Sequence, residues 1–452
     1  MTAPLTLPAL AEAHAAGEID TVVAAQVDMQ GRLMGKRFHA AHFLESAHAG
    51  THGCNYVLAT DMEMETVEGY AAASWAKGYG DYEIVPDLAT LRRAPWAEGT
   101  ALVLCDVADH HGEAVAHAPR TLLKRQMARL AERGWTALAA SELEFFLFRQ
   151  SYEAAQRAGY AGLETFSAYN EDYHVLQTAK AEPILRAARN HLVGAGIPVE
   201  NTKGEADAGQ QEINVAYADA LTMADRHAIV KGALKEIAWA AGRAVTFMAK
   251  WSDRHAGNSC HVHMSLADAS GPLFPDGADP DGMSPVMKAW LAGLLAHAPE
   301  IAAFLAPYVN SYKRFVAGTF APTRIVWSPD NRTAGFRTVG AGTPAHRVEC
   351  RIGGADLNAH LAFAALIAAG LSGVERGMTL EPPAAGDAYA GAGREIPGTL
   401  REAADRLERS EMLRAAFGDA VVEHYVRAAR WEVEVTDRTV TDLDLRRGFE
   451  RA

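Results

Sequence analysis

Glu142 and Glu144 are the two residues of this sequence whose type and spacing most directly suggest chemistry. They lie in the segment 138–148 (LAASELEFFLF), whose phenylalanine-rich end is typical of a β-strand. Because side chains alternate across a strand, the two carboxylates share one face, and Leu143 and Phe145 share the other. Two interpretations are open at this point. An isolated Glu-x-Glu is most often a solvated outer face, whereas a pair of metal ligands would point into a cavity.

Three further segments repeat this arrangement of polar side chains at alternate positions. The residues that would share a face are His261, His263 and Ser265 in 259–265, Arg347, Glu349 and Arg351 in 347–352, and Glu212 and Asn214 in 211–217, with Glu205 just upstream. A single His-x-His is weak support, because a structural histidine is about as common. Four such strands together predict a curved sheet whose concave face is lined by Glu142, Glu144, Glu205, Glu212, His261 and Glu349.

Five carboxylates in one cavity would repel one another strongly at low dielectric, so divalent cations are expected between them. A set of ligands dominated by oxygen, with one imidazole, favours Mg²⁺ or Mn²⁺ over zinc, whose structural sites prefer thiolate and imidazole. Six ligands suit two neighbouring ions that keep some of their water. The sequence therefore predicts a multi-metal carboxylate site.

Basic residues cluster in the same part of the sequence. They are Lys313, Arg314, Arg324, Arg332, Arg337, Arg347 and Arg351. An isolated arginine is normally a surface residue, and we keep this interpretation for Arg324. Arginines interleaved with a carboxylate–metal cavity favour a polyphosphate held between cations and guanidinium groups, the arrangement that phosphoryl transfer uses. The sequence has no Walker A motif and no strand-linked Gly-x-Gly-x-x-Gly, so neither a P-loop nor a Rossmann dinucleotide site is expected.

Composition excludes several classes of protein. The chain has 452 residues, is 49% hydrophobic and carries a formal charge of −13 without any lysine- or arginine-rich run, which argues against nucleic acid as a main partner. The N-terminal segment MTAPLTLPALAEAHAAGEID lacks the pattern of a signal peptide, and no apolar run approaches the roughly 20 residues of a membrane span. The four cysteines are scattered, as expected for reduced thiols. We expect a cytoplasmic protein without membrane contact.

Patterning along the chain predicts an α+β fold with two domains. Short alternating segments, including 22–28, 33–38, 56–59, 82–85 and 101–106, indicate a strand-rich domain over residues 1–111. Residues 112–452 alternate longer helices with the polar strands and form the second domain. Pro119 opens its first helix, and the C-terminus is predicted to consist of two charged amphipathic helices.

These motifs resemble those of the glutamine synthetase family over nearly the whole chain. The carrying segments are Ser141–Phe145, Gly204–Glu212, Gly257–Ser265, Asn310–Arg314, Asn331–Arg332 with Phe336–Arg337, and Arg347–Arg351. The resemblance implies a β-grasp N-terminal domain and a catalytic domain whose curved antiparallel sheet forms an open, funnel-like barrel flanked by helices. It also implies stacked hexameric rings, a homododecamer in which each active site is shared between subunits, and a place in nitrogen metabolism.

The same resemblance implies roles for individual residues. Metal ligands, for two or three Mg²⁺ or Mn²⁺ ions in each active site, would be Glu144, Glu205 and Glu212 on the glutamate side and Glu142, His261 and Glu349 on the ATP side. Arg332 and Arg337 would stabilise the transferring phosphoryl group. L-glutamate would be held near Glu144 by Gly257, Arg314 and Arg351. ATP, the co-substrate, would lie near Tyr217, His263, Ser265, Arg337 and Arg347.

The sequence departs from ammonia-using glutamine synthetases at two places. Phe320 stands where the flap motif of those enzymes has a glutamate that helps take a proton from ammonium, and a phenylalanine cannot accept a proton. The ammonium-binding Asp-Gly-Ser-Ser motif is replaced by the segment 59–65 (ATDMEME), where Asp61 or Glu63 could act as the base. Both departures resemble the γ-glutamylamine ligases of amine catabolism.

We therefore expect an ATP-dependent ligase that joins the γ-carboxylate of L-glutamate to a small primary amine, with ethanolamine favoured, through γ-glutamyl phosphate. Three alternatives stay open. A γ-glutamylpolyamine synthetase would use putrescine or spermidine, a true glutamine synthetase would use ammonia despite Phe320, and a structural homologue of the fold would be catalytically silent.

Overall fold

A computed structural model describes residues 5–452 of the chain, so the first four residues of the predicted N-terminal domain and of the segment tested for a signal peptide lie outside the described residues. The N-terminal part contains two helices and six strands. They are α1 Leu7–Ala15, β1 Thr21–Val27, β2 Leu33–His39, α2 Ala40–Glu45, β3 Thr51–Cys54, β4 Asp81–Pro86, β5 Arg92–Arg93 and β6 Thr100–Ala108. The strands form one sheet in the order β2-β1-β6-β4-β3, with β5 paired to β6.

Alternation along β6 explains how this sheet is packed on both faces. Ala101 and Val103 contact Leu10 of α1 and Phe43 of α2, which cover one side. Leu102 and Leu104 point the other way and join the large core of the following domain. The predicted strand at 56–59 is wrong, because residues Asn55–Leu58 form a 3₁₀ turn. Leu58, the buried residue of that turn, packs against Tyr82 of β4 and Val107 of β6 without joining their sheet.

The second part contains a ten-stranded sheet surrounded by helices, which confirms the predicted α+β class. The strands of this part, ten in the large sheet and two in a separate pair, are β7 Thr136–Phe148, β8 Val199–Gly204, β9 Gln210–Val215, β10 Ala218–Asp219, β11 Ala244–Thr246, β12 Cys260–Asp268, β13 Gly271–Pro272, β14 Arg324–Ile325, β15 Trp327–Pro329, β16 Phe336–Val339, β17 Arg347–Cys350 and β18 Arg394–Glu395. The order is β15-β16-β17-β12-β7-β9-β8, and the sheet curves into an open, funnel-like barrel. Strands β14 and β18 pair separately.

The helices of this part are α3 Pro119–Ala131, α4 Tyr152–Arg157, α5 Val175–Gly194, α6 Ala220–Ala240, α7 Pro285–Leu305, α8 Ala359–Glu375, α9 Leu400–Glu408, α10 Glu411–Phe417, α11 Asp419–Arg438 and α12 Asp442–Gly448. Four C-terminal helices replace the two that were predicted. Ser410 caps α10, Gly418 has a positive φ of 93°, and Thr441 caps α12, so each position interrupts the amphipathic pattern.

Helix α8 lies at the centre of the core and is buried from Ala359 to Gly373. It packs against α7 so closely that a Cβ atom on Gly370 would lie 2.2 Å from the Trp290 ring. Among residues 5–452, no helix combines the length and the apolar character that crossing a bilayer requires. All four cysteines carry free thiols.

A buried ion-pair network connects the two parts of the chain. Arg120 of α3 donates two hydrogen bonds of 2.9 Å to Asp225 of α6 and bonds of 2.7 Å to Asp87 and Asp106 of the N-terminal sheet region. His360 approaches Asp225 at 2.8 Å. Three carboxylates around one buried guanidinium, one of them also bound by His360, hold the N-terminal sheet against the second part of the chain.

Candidate active site

The four polar strands predicted from the sequence are neighbours in the sheet, in the order β17-β12-β7-β9. Their register places Glu142 opposite both His261 and Asn214, and Glu144 opposite Glu212. Between β12 and the next strand, β17, His263 lies opposite Glu349. The polar residues therefore meet on the concave face, while the alternate residues of β7 pack in the core, as the period of two requires.

The first cluster on this face consists of Glu142, His261 and Glu349, whose potential ligand atoms lie within 4.8 Å of one another. His261 Nδ1 donates to Glu142 Oε2 at 2.9 Å and lies 3.6 Å from Glu349 Oε1. His261 Nε2 is buried and has no hydrogen-bond partner among residues 5–452. A carboxylate can only accept, so Nδ1 carries the proton of the neutral ring and the lone pair of Nε2 has no hydrogen-bond donor among those residues.

Electrostatics keep this cluster ready to bind a cation. Burial alone would raise the pKa of Glu142, but hydrogen bonds from His261 and His263 outweigh it and lower that pKa well below its usual range. Burial opposes ionisation of Glu349 as well, yet His261 and Arg351 lower its pKa. Burial, followed by the positive charge of Arg351, lowers the pKa of His261, so its imidazole stays neutral.

The second cluster consists of Glu144, Glu205 and Glu212, also within 4.8 Å. Burial and the charges of Glu205 and Glu212 raise the pKa of Glu144 well above its ordinary value. Burial, with Glu142 and Glu205, raises the pKa of Glu212 to about 8. The raised pKa values of Glu144 and Glu212 show that this cluster lacks a positive partner of sufficient charge.

A divalent cation fits both clusters. The first offers two carboxylates and an unpaired imidazole nitrogen, and the second offers three carboxylates with a net negative charge that one lysine, Lys203, offsets only in part. Oxygen-dominated donors of this kind suit Mg²⁺ or Mn²⁺, and the type of donor atom does not distinguish these two ions.

Two cavities meet at these clusters. One, of about 500 Å³, is lined by Tyr217, His263, Ser265 and Arg347, the residues that the sequence assigned to ATP. The other, of about 570 Å³, contains both carboxylate clusters together with Gly257, Phe320, Arg332, Arg337 and Arg351. Glu142 and Asn214 line both cavities, so a molecule in the first can reach the second beside Glu142.

The basic cluster of the sequence divides into two groups. Arg337 donates to Glu349 Oε2 at 3.0 Å and also pairs with Asp330, whereas Arg351 donates to Glu349 Oε1 at 2.5 Å. Arg324 pairs with the exposed Glu395 at 3.3 Å, away from both cavities, which agrees with its interpretation as a surface residue. Glu349 of the first carboxylate cluster is thus bonded to two of the arginines that line the larger cavity, Arg337 and Arg351.

Arg314 lies behind the cavity wall. Its guanidinium is buried and donates to Ser259 Oγ at 3.1 Å and to the carbonyl of Gly353 at 2.9 Å. A Cβ atom on Gly257 would lie 2.4 Å from Arg314 Cγ and 2.8 Å from the carbonyl of Ala249. In this conformation Arg314 shapes the wall that Gly257 exposes, and the glutamate contact expected from the resemblance stays a prediction.

Asp61 and Glu63 are not brought to the carboxylate cavities of their own chain. Asp61 Oδ2 accepts a 3.0 Å hydrogen bond from Trp431 Nε1, and Asp61 Oδ1 accepts bonds from the backbone of Glu63 and Glu65. Asp61 lines a separate cavity of about 70 Å³ between the N-terminal part and helix α11. A single subunit therefore leaves both candidate bases away from the reacting groups.

The sequence interpretation missed Lys203, Asp172 and Tyr173, which all line the larger cavity. Lys203 pairs with Glu205 and lies opposite Glu212 in the sheet. The period of two on β8 could have placed Lys203 on the cavity face two residues before Glu205, but Asp172 and Tyr173 come from a loop with no such signal.

Comparison with known proteins identifies the family. Residues 116–448 match the model of the family described as "glutamine synthetase, catalytic domain". The chain belongs to the glutamine synthetase family. It is 50% identical over 451 residues to a γ-glutamylethanolamide synthetase of Streptomyces coelicolor, covering 100% of this chain and 97% of that protein. It is 37% identical to a glutamate–isopropylamine ligase of a Pseudomonas species, covering 95% of each. A solved structure of ligand-free GmaS superimposes with a TM-score of 0.83 at 28% identity, covering 98% of this chain and 99% of that one.

Within this family, the position of Phe320 is the notable feature of the cavity. Its side chain is 59% exposed and its backbone has a positive φ of 58°, at the rim that it shares with Thr319. Its carbonyl accepts a 3.4 Å hydrogen bond from Arg351 Nη2. A hydrophobic ring thus lies where ammonia-using members of the family are expected to present a carboxylate.

Proposed function

We propose that this protein is an ATP-dependent glutamate–amine ligase that forms a γ-glutamylamide from L-glutamate and a small primary amine, with ethanolamine as the favoured amine. The observation that carries the proposal is the 50% identity, over the whole chain, to a γ-glutamylethanolamide synthetase. Phe320 at the cavity rim supports the proposal in two ways. The alkyl part of an amine can pack against the aromatic ring, and the ring cannot act as the base that ammonia-using enzymes place there.

The two carboxylate clusters are proposed as the metal sites. Glu142, His261 and Glu349 would hold a cation on the ATP side, and Glu144, Glu205 and Glu212 would hold one or two on the glutamate side. Bound Mg²⁺ or Mn²⁺ would act as a Lewis acid and neutralise the negative charge that the substrates add.

The smaller cavity is proposed to bind ATP. Tyr217 is 66% exposed and can lie against an aromatic base, while Ser265 offers a hydroxyl. His263 donates to Glu142 Oε1 at 2.8 Å and accepts from Arg347 Nε at 3.2 Å, which fixes its ring and holds Arg347 beside the cavity. The phosphates would extend past Glu142 toward Arg337 and Arg332.

Glutamate would bind in the larger cavity with its γ-carboxylate facing these phosphates. Attack of the γ-carboxylate oxygen on the terminal phosphorus breaks its bond to the ADP oxygen and gives γ-glutamyl phosphate. The guanidinium groups of Arg332 and Arg337 stabilise the charge spread over the phosphoryl oxygens. The amine nitrogen then forms the amide bond, phosphate leaves, and a base takes the excess proton.

That base is proposed to come from a neighbouring subunit. Asp61 or Glu63 would complete the cavity across an interface, since neither reaches the cavity of its own chain. Exposed Val440, Leu443 and Phe449 near the C-terminus offer apolar surface for assembly, which supports stacked hexameric rings and a dodecamer. We further propose a cytoplasmic enzyme of nitrogen metabolism and amine catabolism, with a domain boundary between residues 111 and 112.

A phosphate-release assay with ATP, glutamate, Mg²⁺ or Mn²⁺ and a panel of amines tests the function. We expect turnover with ethanolamine to exceed turnover with ammonia or putrescine. Preference for ammonia would replace the proposal with glutamine synthesis, and preference for putrescine or spermidine would replace it with polyamine ligation. No turnover with any amine, in a protein that still binds ATP and metal, would identify a silent homologue.

A further inference from the structure

Lys203 is the positive side chain closest to the glutamate-side carboxylates. Its ammonium group pairs with Glu205, lies 3.8 Å from Asp172 Oδ1 and sits 4.6 Å from the centre of the Tyr173 ring. The side chain is only 21% exposed. Carboxylates and aromatic faces are the groups that bind alkylammonium ions in proteins. Asp172, Glu205 and Tyr173 therefore form an alkylammonium-binding site, and the Lys203 ammonium group fills it.

This occupied site belongs to the cavity in which the amine must react. Lys203, Asp172 and Tyr173 line the same cavity as Phe320 and the three carboxylates. Tyr173 is 72% exposed and has a positive φ of 54°, so an unusual backbone conformation holds its ring over the lysine at the cavity mouth.

We propose that Lys203 selects the class of amine, excluding diamines and polyamines and admitting monoamines with a neutral tail. This inference rests on the proposed function and names its substrate class. A diamine whose first nitrogen attacks the glutamyl group carries a second ammonium group in the same cavity. There it finds Asp172, Glu205 and Tyr173 already engaged by Lys203 and meets a like charge.

The expected discrimination follows from Coulomb's law. Two unit charges about 6 Å apart, at an effective dielectric of about 40, disfavour each other by about ten-fold in an equilibrium constant. A hydroxyl group at the same place meets no such repulsion and can accept a hydrogen bond from the Lys203 ammonium group. Ethanolamine and longer amino alcohols should therefore be preferred over diamines of matching length.

The test compares kcat/KM for putrescine and for the amino alcohol of the same chain length, at saturating metal. In the wild type the amino alcohol should be preferred by about ten-fold or more. Lys203→Met, which keeps the apolar stem over Tyr173, should reduce this preference by about ten-fold, and Lys203→Arg should preserve it. Because both amines are measured on the same enzyme, any change in metal binding through Glu205 cancels in the ratio.

Two controls separate selection from a structural effect. Asp172→Asn removes an attractive charge and should shift the ratio further against putrescine. Lys180→Met removes another lysine that lies over a tyrosine ring, at 5.5 Å from Tyr169, but outside the cavity, and should leave the ratio unchanged. An equal ratio in the wild type and Lys203→Met would overturn the inference while the proposed function stands. Absence of turnover with both amines in the wild type would overturn both.

Discussion

Replacing Phe320 by glutamate tests what determines the nitrogen nucleophile. The side chain is 59% exposed, so the substitution buries no charge and should not affect folding. The positive φ of 58° destabilises the backbone to a similar extent with glutamate or phenylalanine, because neither side chain is β-branched. The change therefore isolates one added negative charge at the rim of the cavity.

The magnitude follows from the exposure of the site. A carboxylate about 4 Å from an ammonium ion contributes about 1 kcal/mol in a water-like dielectric, and more where the site is partly desolvated. We take the lower value because the rim is solvated. This corresponds to about a five-fold gain in kcat/KM for ammonium over an uncharged side chain of the same shape.

The assay measures phosphate release with ammonium and with ethanolamine at constant ionic strength, since salt screens an exposed charge. Phe320→Gln is the matched control, because it has the shape of glutamate without its charge. The reasoning is refuted if Phe320→Glu and Phe320→Gln show the same kcat/KM for ammonium, since charge at the rim would then not attract this nucleophile. Ethanolamine, which is also protonated near neutral pH, reports the part of the attraction that both amines share.

Three further predictions concern stability and the cavity wall. Arg120→Met leaves buried carboxylates unpaired and should lower the free energy of unfolding by about 3–5 kcal/mol in urea, whereas the more exposed Lys124→Met should cost about 0–1 kcal/mol. Gly257→Ala forces a Cβ atom to within 2.4 Å of a side-chain carbon in the cavity wall, so it should lower kcat/KM while the circular dichroism spectrum stays unchanged. Gly398→Ala is the control: a Cβ atom there meets open space among the described residues, so kcat/KM should not change. Burial lowers the pKa of His117 to about 4. Between pH 6.5 and 4 the unfolded chain therefore binds a proton that the folded chain does not bind. The free energy of unfolding should decrease by up to about 3 kcal/mol as the pH is lowered through this range. His117→Phe should reduce this pH dependence, measured by urea titrations at a series of pH values.

The part of the site that lies on strands was predictable because a strand has a fixed period. Glu142 and Glu144 could be assigned to one face from sequence alone, and the same rule placed His261, Glu212 and Glu349 on the faces of other strands. The order of those strands in the sheet was not determined by this rule. The tertiary structure supplied the order β17-β12-β7-β9.

Other features depend on groups far apart in the chain. The 56–59 segment has the residue types of a strand but finds no strand partner and forms a 3₁₀ turn. The direction of the Arg314 side chain depends on carbonyl groups of residues 351–353, which accept its hydrogen bonds. Neither outcome can be read from local composition, because both depend on which backbone groups lie nearby after folding.

The sequence by itself determined the chemical inventory of this protein: alternating carboxylates and one histidine on β-strands, arginines between them, and Phe320 in place of an acidic residue. Only the tertiary structure decided how these groups are connected. It brought the six candidate ligands together in the two sets that the resemblance implied, and it joined two cavities at Glu142. It also kept Asp61 away from its own site and placed Lys203 among the glutamate-side carboxylates. The physical reason is that side-chain direction is a local property of a strand, whereas charge compensation and cavity shape arise from groups that only the folded chain brings within a few ångströms.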